Sequence, residues 1–163
     1  MIDLNAISDR HYAWVERMGW HNKTVLESLA LIASEIGEAA GECLGGFSIP
    51  ERFGEELADI ILRCVDLAKT EGVNLNEQVA IALQETEWVT DTASERITEV
   101  LIDFGKWCNT ARKTPLGPDF GAAMGKVVAR VIDLAARHRI DLHTAVQLKL
   151  EKNALNGTRG RPI

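Results

Sequence analysis

Five acids on two neighbouring stretches carry the spacing of a chemical site. Glu35, Glu38 and Glu42 stand three and four residues apart, so on a helix their carboxylates project from one side. On a helical wheel that side lies beside the apolar stripe of Leu29, Ile32, Ile36, Ala39, Ala40 and Cys43, not opposite it. Glu56 and Asp59 repeat the arrangement at the rim of an apolar face marked by Leu57, Ile60, Ile61, Cys64 and Ala68. If these helices pack antiparallel, Glu35, Glu38, Glu56 and Asp59 converge near one interface. Carboxylates so placed repel, and partial burial raises the pKa of some of them. A cation must compensate. All-oxygen ligation suits Mg²⁺, or Mn²⁺ in its place. Mg²⁺ keeps waters and shares its shell with phosphates, so a phosphorylated ligand follows. A single ExxE spacing is common on solvated helix faces. Two such motifs on successive helices, both at the core edge, point to a site.

A repeat sharpens this reading. FGEELADIILRCVDLA begins at Phe53 and FGAAMGKVVARVIDLA begins at Phe120. From Phe53 over Phe120 to Leu83 over Leu150, nine positions are identical without a gap, among them Asp66 with Asp133, Leu75 with Leu142 and Val79 with Val146. Upstream, with a one-residue shift, Glu35 lies over Asp103, Gly37 over Gly105 and Glu38 over Lys106. The scaffold recurs but the acids do not: Glu55, Glu56 and Asp59 become Ala122, Ala123 and Lys126. Lys106 and Lys126 are charge reversals at matching positions, as expected of a second site that exchanged its metal for ammonium groups. Two units suggest a fused pseudo-dimer, each a helical hairpin burying its stripe against the other.

The elements that position these residues read as helices throughout. The apolar periodicity and the breaks at Pro50, Pro115, Pro118 and Gly72 give helices over 4–18, 23–44, 50–71, 75–88, 94–112, 119–138 and 141–155. Gly45 and Gly46 stop the second, and Ser48 and Pro50 open the third. No run has the alternation of a strand. The expected fold is an all-α bundle, one domain over 1–163: residues 1–89 are the repeat with the acids, and 90–163 a degenerate repeat ending in a basic tail. Trp14, at helical spacing from Ile7 and Met18, is assigned to the core. Trp88 and Trp107 go to the core or an interface, and the cysteines are read as small buried apolar residues.

Bulk properties exclude several classes. The 18 basic and 24 acidic residues leave a charge of −6, which argues against nucleic acid as partner. Cys43, Cys64 and Cys108 are odd in number and form no CxxC pair, so a disulfide framework is not expected and a reducing cytoplasm is. No apolar run reaches the ~20 residues of a membrane span, and MIDLNAISDRHY lacks a signal-peptide pattern. A di-iron bundle needs ExxH on two helices, and His11, His21, His138 and His143 do not supply it. There is no GxxxxGK[ST], GxSxG or HExxH.

ExxE at Glu35 and Glu38, a spacer, then ExxD at Glu56 and Asp59 resembles the MazG-like all-α nucleoside triphosphate pyrophosphohydrolases. LIASEIGEAAGE, FGEELADIILR and GVNLNEQV extend the likeness over roughly residues 10–85, with the remainder a diverged echo. The resemblance implies cleavage of a (deoxy)nucleoside triphosphate to the monophosphate and pyrophosphate, in nucleotide-pool house-cleaning, with Mg²⁺ held by the four acids. It implies phosphate contacts from a Lys, an Asn and an Arg after the last helix. Only the second repeat offers them, as Lys149, Lys152, Asn153 and Arg159, where the first has Ala82 and Glu85 at the positions of the two lysines. Acids from one half and bases from the other make a composite site. The family also uses aromatic and polar groups near the N-terminus to hold the base, which points to Trp20 and His21. Glu38 or Glu55 is the expected acceptor of the proton of the attacking water. A homodimer of such chains is expected. A phosphoribosyl-ATP pyrophosphohydrolase shares this chemistry. A helical bundle that binds nucleotide without cleaving it, or an adaptor whose acids only confer solubility, is the non-enzymatic alternative.

Overall fold

The computed structural model describes residues 2–21, 24–43, 51–85, 87 and 90–157. Among them are seven helices and no strand: α1 Leu4–Met18, α2 Val25–Cys43, α3 Glu51–Thr70, α4 Leu75–Glu85, α5 Ala93–Lys113, α6 Asp119–Arg137 and α7 Leu142–Asn156. No helix among the described residues is long and apolar enough to cross a membrane.

Local chemistry sets the ends. Asp3 caps α1 by accepting from Ala6 N at 3.1 Å, and Gly19 closes it in the left-handed region with φ 66°. A capping box of Thr92 and Glu95 fixes the start of α5, one residue before the expected 94. Asp141 takes the amide of Thr144 at 3.0 Å to start α7. α3 and α6 end in the same closure: Val73 N donates to Ala68 O at 2.8 Å and Ile140 N to Ala135 O at 2.9 Å. The left-handed residue at this closure is Gly72, φ 67°, in the first repeat and Arg139, φ 58°, in the second. α4 stops at Glu85, short of the expected 88. Gly45, Gly46, Ser48, Pro50, Trp88 and Arg159 lie outside the described residues.

α3 and α6 form the centre because their apolar faces are the widest. Phe53, Leu57, Ile60, Ile61, Cys64 and Val65 are fully buried on α3, and Met124, Val127, Val128, Val131 and Leu134 on α6. Each large side chain removed from water contributes roughly 1.5–3 kcal/mol, and these two helices carry about half of the large apolar side chains in the core. Around them the packing is arranged alike in the two halves. α2 packs on α3 and α5 on α6, while α4 crosses to α6 and α7 crosses to α3. The closeness repeats atom by atom. A Cβ at Gly54 would stand 3.3 Å from Ile140 Cγ2, and one at Gly121 would stand 3.3 Å from Val73 Cγ1.

Trp107 is fully buried, edge-on to Phe104 and Phe120. Trp14, expected in the core, is only partly buried, because it lies on the outer side of α1 edge-on to Trp20 at 5.3 Å. All three cysteines are free. Cys64 is buried as expected, whereas Cys43 and Cys108 are partly exposed at the edges of their stripes.

Candidate metal centre

α2 and α3 bring three of the four acids together. One carboxylate oxygen from each of Glu35, Glu38 and Glu56 lies within 4.8 Å of the others. Glu35 is buried at 2% exposure, which no solvated helix face would require, and Arg63 Nε donates to its Oε1 at 3.2 Å. Glu38 and Glu56 are partly exposed. One Glu56 oxygen, Oε2, is buried with no hydrogen-bond partner among the described residues. Burial, then the Asp59 carboxylate, raises the Glu56 pKa, with Glu35 and Glu42 adding to the effect and Lys149 opposing it. A carboxylate oxygen stripped of water and facing other carboxylates is the donor a hard cation would satisfy. Oxygens across one Mg²⁺ stand at most ~4.2 Å apart, so a side-chain shift of well under an ångström separates the observed spacing from bonding range.

Asp59, the fourth acid, has a different partner. Lys149 Nζ lies 2.6 Å from its Oδ2, with both side chains 16% exposed. Burial raises the Asp59 pKa, the Lys149 hydrogen bond and charge lower it, and Glu35 raises it, leaving the carboxyl above its ordinary value. Lys152 Nζ lies 2.9 Å from Glu55 Oε2. That bond, set against some burial, holds Glu55 below the usual range. Glu55 is therefore engaged by a lysine and poorly suited to accept a proton. Asn153, at 8% exposure, lines a cavity of about 190 Å³ with Glu35, Asp59, Arg63, Lys149 and Lys152. Two acids of the first half, Glu35 and Asp59, thus share one cavity with the bases of the second, while Glu38 and Glu56 are not among its walls.

Trp20 and His21 are not among the walls of that cavity. His21 packs on Tyr12 at 4.6 Å, and its charge interaction is with Asp66, further along α3. Two residues that the sequence did not single out are at the site. His11 lines the cavity at 5% exposure, its Nδ1 without a hydrogen-bond partner among the described residues, and burial and then the Arg63 charge hold its pKa at about 4. Arg63 pairs with Glu35. Its signal was present, since Arg63 recurs as Arg130, but the recurrence looked like scaffold.

The counterpart in the second half has the opposite filling. Arg130 Nε donates to Asp103 Oδ2 at 2.9 Å, as Arg63 does to Glu35. Lys106 Nζ then reaches Asp103 Oδ1 at 2.9 Å, with Lys126 Nζ 3.9 Å from the same oxygen. Burial would raise Asp103, but the hydrogen bonds from Lys106 and Arg130 and the charges of Lys126 and Arg130 outweigh it and lower the pKa. Both lysines that replace acids converge on the one acid that remains. No family model, curated protein or solved structure matches the chain.

Proposed function

We propose that this protein hydrolyses a (deoxy)nucleoside triphosphate to the monophosphate and pyrophosphate, using Mg²⁺ or Mn²⁺ held by Glu35, Glu38, Glu56 and Asp59. The observation that carries this reading is the contrast between the halves. Glu35, Glu38 and Glu56 crowd their oxygens within 4.8 Å, whereas the matching position around Asp103 is neutralised by Lys106, Lys126 and Arg130. The MazG-like motif order adds support, as does the composite cavity. The matched packing of α2–α3–α4 and α5–α6–α7 favours a fused pseudo-dimer that retains one site of two.

The bound cation would neutralise phosphate oxygens and lower the pKa of a water held in line with the scissile anhydride. The chain's own groups do the rest. Arg63 fixes the Glu35 carboxylate, and Glu38, partly exposed, takes the proton of the attacking water. Lys149 and Lys152, with Asn153 beside them, face the same space and offset the charge on the departing pyrophosphate. The experiment is pyrophosphate release from a panel of ribo- and deoxynucleoside triphosphates and phosphoribosyl-ATP, with Mg²⁺ and with EDTA. Metal-dependent release from some member is expected. Silence across the panel from folded protein would overturn the reading in favour of a binding role.

A further inference from the structure

The two halves differ at one more seam. Where α4 crosses α6, the helices are so close that a Cβ on Gly125 would meet Gln78 Cβ at 2.6 Å. At the matching seam of α7 and α3, Gly125 is replaced by Ala58 and Gln78 by Ala145. The first exchange adds a methyl group that bars so close an approach, and the second removes the side chain that would fill the gap. A cavity of about 510 Å³ opens there, with Gly54, Ile140, Ala145 and Leu148 among its apolar walls. That is within the ~300–1,000 Å³ of small-molecule sites. Lys149, Lys152 and Asp59 connect it to the acids: the two lysines line both cavities, and Lys149 is the partner of Asp59.

Two polar features mark this wall. His138 Nε2 is buried with no hydrogen-bond partner among the described residues. Arg139 adopts φ 58°, the left-handed region that disfavours any side chain, at the place where the first half uses Gly72. The closure of the helix needs only a glycine there. An exposed arginine kept at this cost is strain held at a wall, and its planar guanidinium is suited to stack on a flat ring.

We infer that the α3–α7 cavity receives the nucleoside end of the nucleotide, with its base against Arg139 and its phosphates directed past Lys149 and Lys152 to the acids. This assignment rests on the hydrolase reading for the position of the phosphates. Binding by calorimetry with Mg²⁺ separates the two: pyrophosphate probes the acids and lysines alone, and the four nucleoside monophosphates probe the cavity as well. Arg139→Gly relieves the strained backbone, so its melting temperature should equal or exceed that of the parent. Its Kd for the preferred monophosphate should nevertheless rise about tenfold, a loss of ~1.4 kcal/mol, with pyrophosphate binding unchanged. Ala145→Gln, which restores the filling seen at Gln78, should have the same selective effect. Parent-like monophosphate binding in both folded variants would overturn the cavity assignment and leave the acid site intact. A parent protein that binds pyrophosphate but no nucleotide would do the same. A parent that binds neither would overturn the hydrolase reading with it.

Discussion

Lys149 Nζ rests 2.6 Å from Asp59 Oδ2, tying the last helix of the second half to the acidic helix of the first. The ammonium offsets the negative charge of the largely buried Asp59 carboxylate. Removing one partner of a fully buried pair costs ~3–5 kcal/mol. Each side chain here keeps 16% exposure, so Lys149→Met should cost nearer ~2 kcal/mol, or about 4–8 °C in Tm for a domain of this size. Mg²⁺ should recover much of that loss, giving a larger Mg²⁺-induced Tm shift in the variant than in the parent. Equal shifts in a calorimetric scan would mean that Asp59 does not face the metal.

Glu56 is expected to behave in the opposite way. Its carboxylate is held against Asp59, Glu35 and Glu42, so Glu56→Gln should stabilise the metal-free protein. Asp59, one turn away on the same helix, costs roughly 0.2–0.5 kcal/mol as a like charge, so the gain from that pair alone is at most about 2 °C. The same variant should lose most of its Mg²⁺-induced Tm shift. A variant less stable than the parent without metal would show that the carboxylate has a structural partner.

Glu38→Gln tests the proton acceptor together with the ligand set. Loss of a group in direct contact with the cation should lower kcat by at least roughly 100-fold with melting little changed, since second-shell partners alone are worth 10–100-fold. Lys106→Glu, at the matching position of the second half, should leave kcat/KM within about twofold. Its 66% exposed side chain contributes only ~0.2–1 kcal/mol through Asp103, so a small fall in Tm is expected. Abolished turnover in Lys106→Glu would contradict a single site in the first half.

Arg130 holds Asp103 at 2.9 Å, Glu99 at 2.7 Å and the Glu87 carbonyl at 2.9 Å with its side chain 11% exposed. Arg130→Met takes the guanidinium away from both carboxylates, leaving Lys106 and Lys126 to Asp103 and the Thr90 hydroxyl to Glu99, and should cost about 3 kcal/mol in urea unfolding. A loss below ~1 kcal/mol would show that Lys106 and Lys126 suffice for Asp103.

His11 gives the chain an acid-sensitive core. A lowering from 6.5 to about 4 corresponds to about 3 kcal/mol at 1.36 kcal/mol per unit. Because the folded value is depressed, this stability is present above pH 6.5 and is lost as pH falls through 4. His11→Gln should flatten the decline in unfolding free energy between pH 6.5 and 4 in metal-free protein. An unchanged slope would place the acid lability elsewhere.

The all-α architecture was legible because helical periodicity is local. Leu29, Ile32, Ile36 and Ala39 had to share a face whatever they packed against, and Gly72 marks an end through its own backbone chemistry. The pairing of ExxE with ExxD was legible for the same reason, and the repeat revealed which half kept its acids. Other features depended on contacts between segments far apart in the chain. Nothing local says that Lys149, 90 residues away, reaches Asp59, or that Lys152 occupies Glu55. His11 looked like one more residue of an amphipathic helix until α1 packed on α3 and buried it beside Arg63. The cavity beside Ala145 lies between α3 and α7, and no spacing within either helix announces it. Sequence spacing fixes which residues share a helix face; only the crossing of helices decides which faces meet.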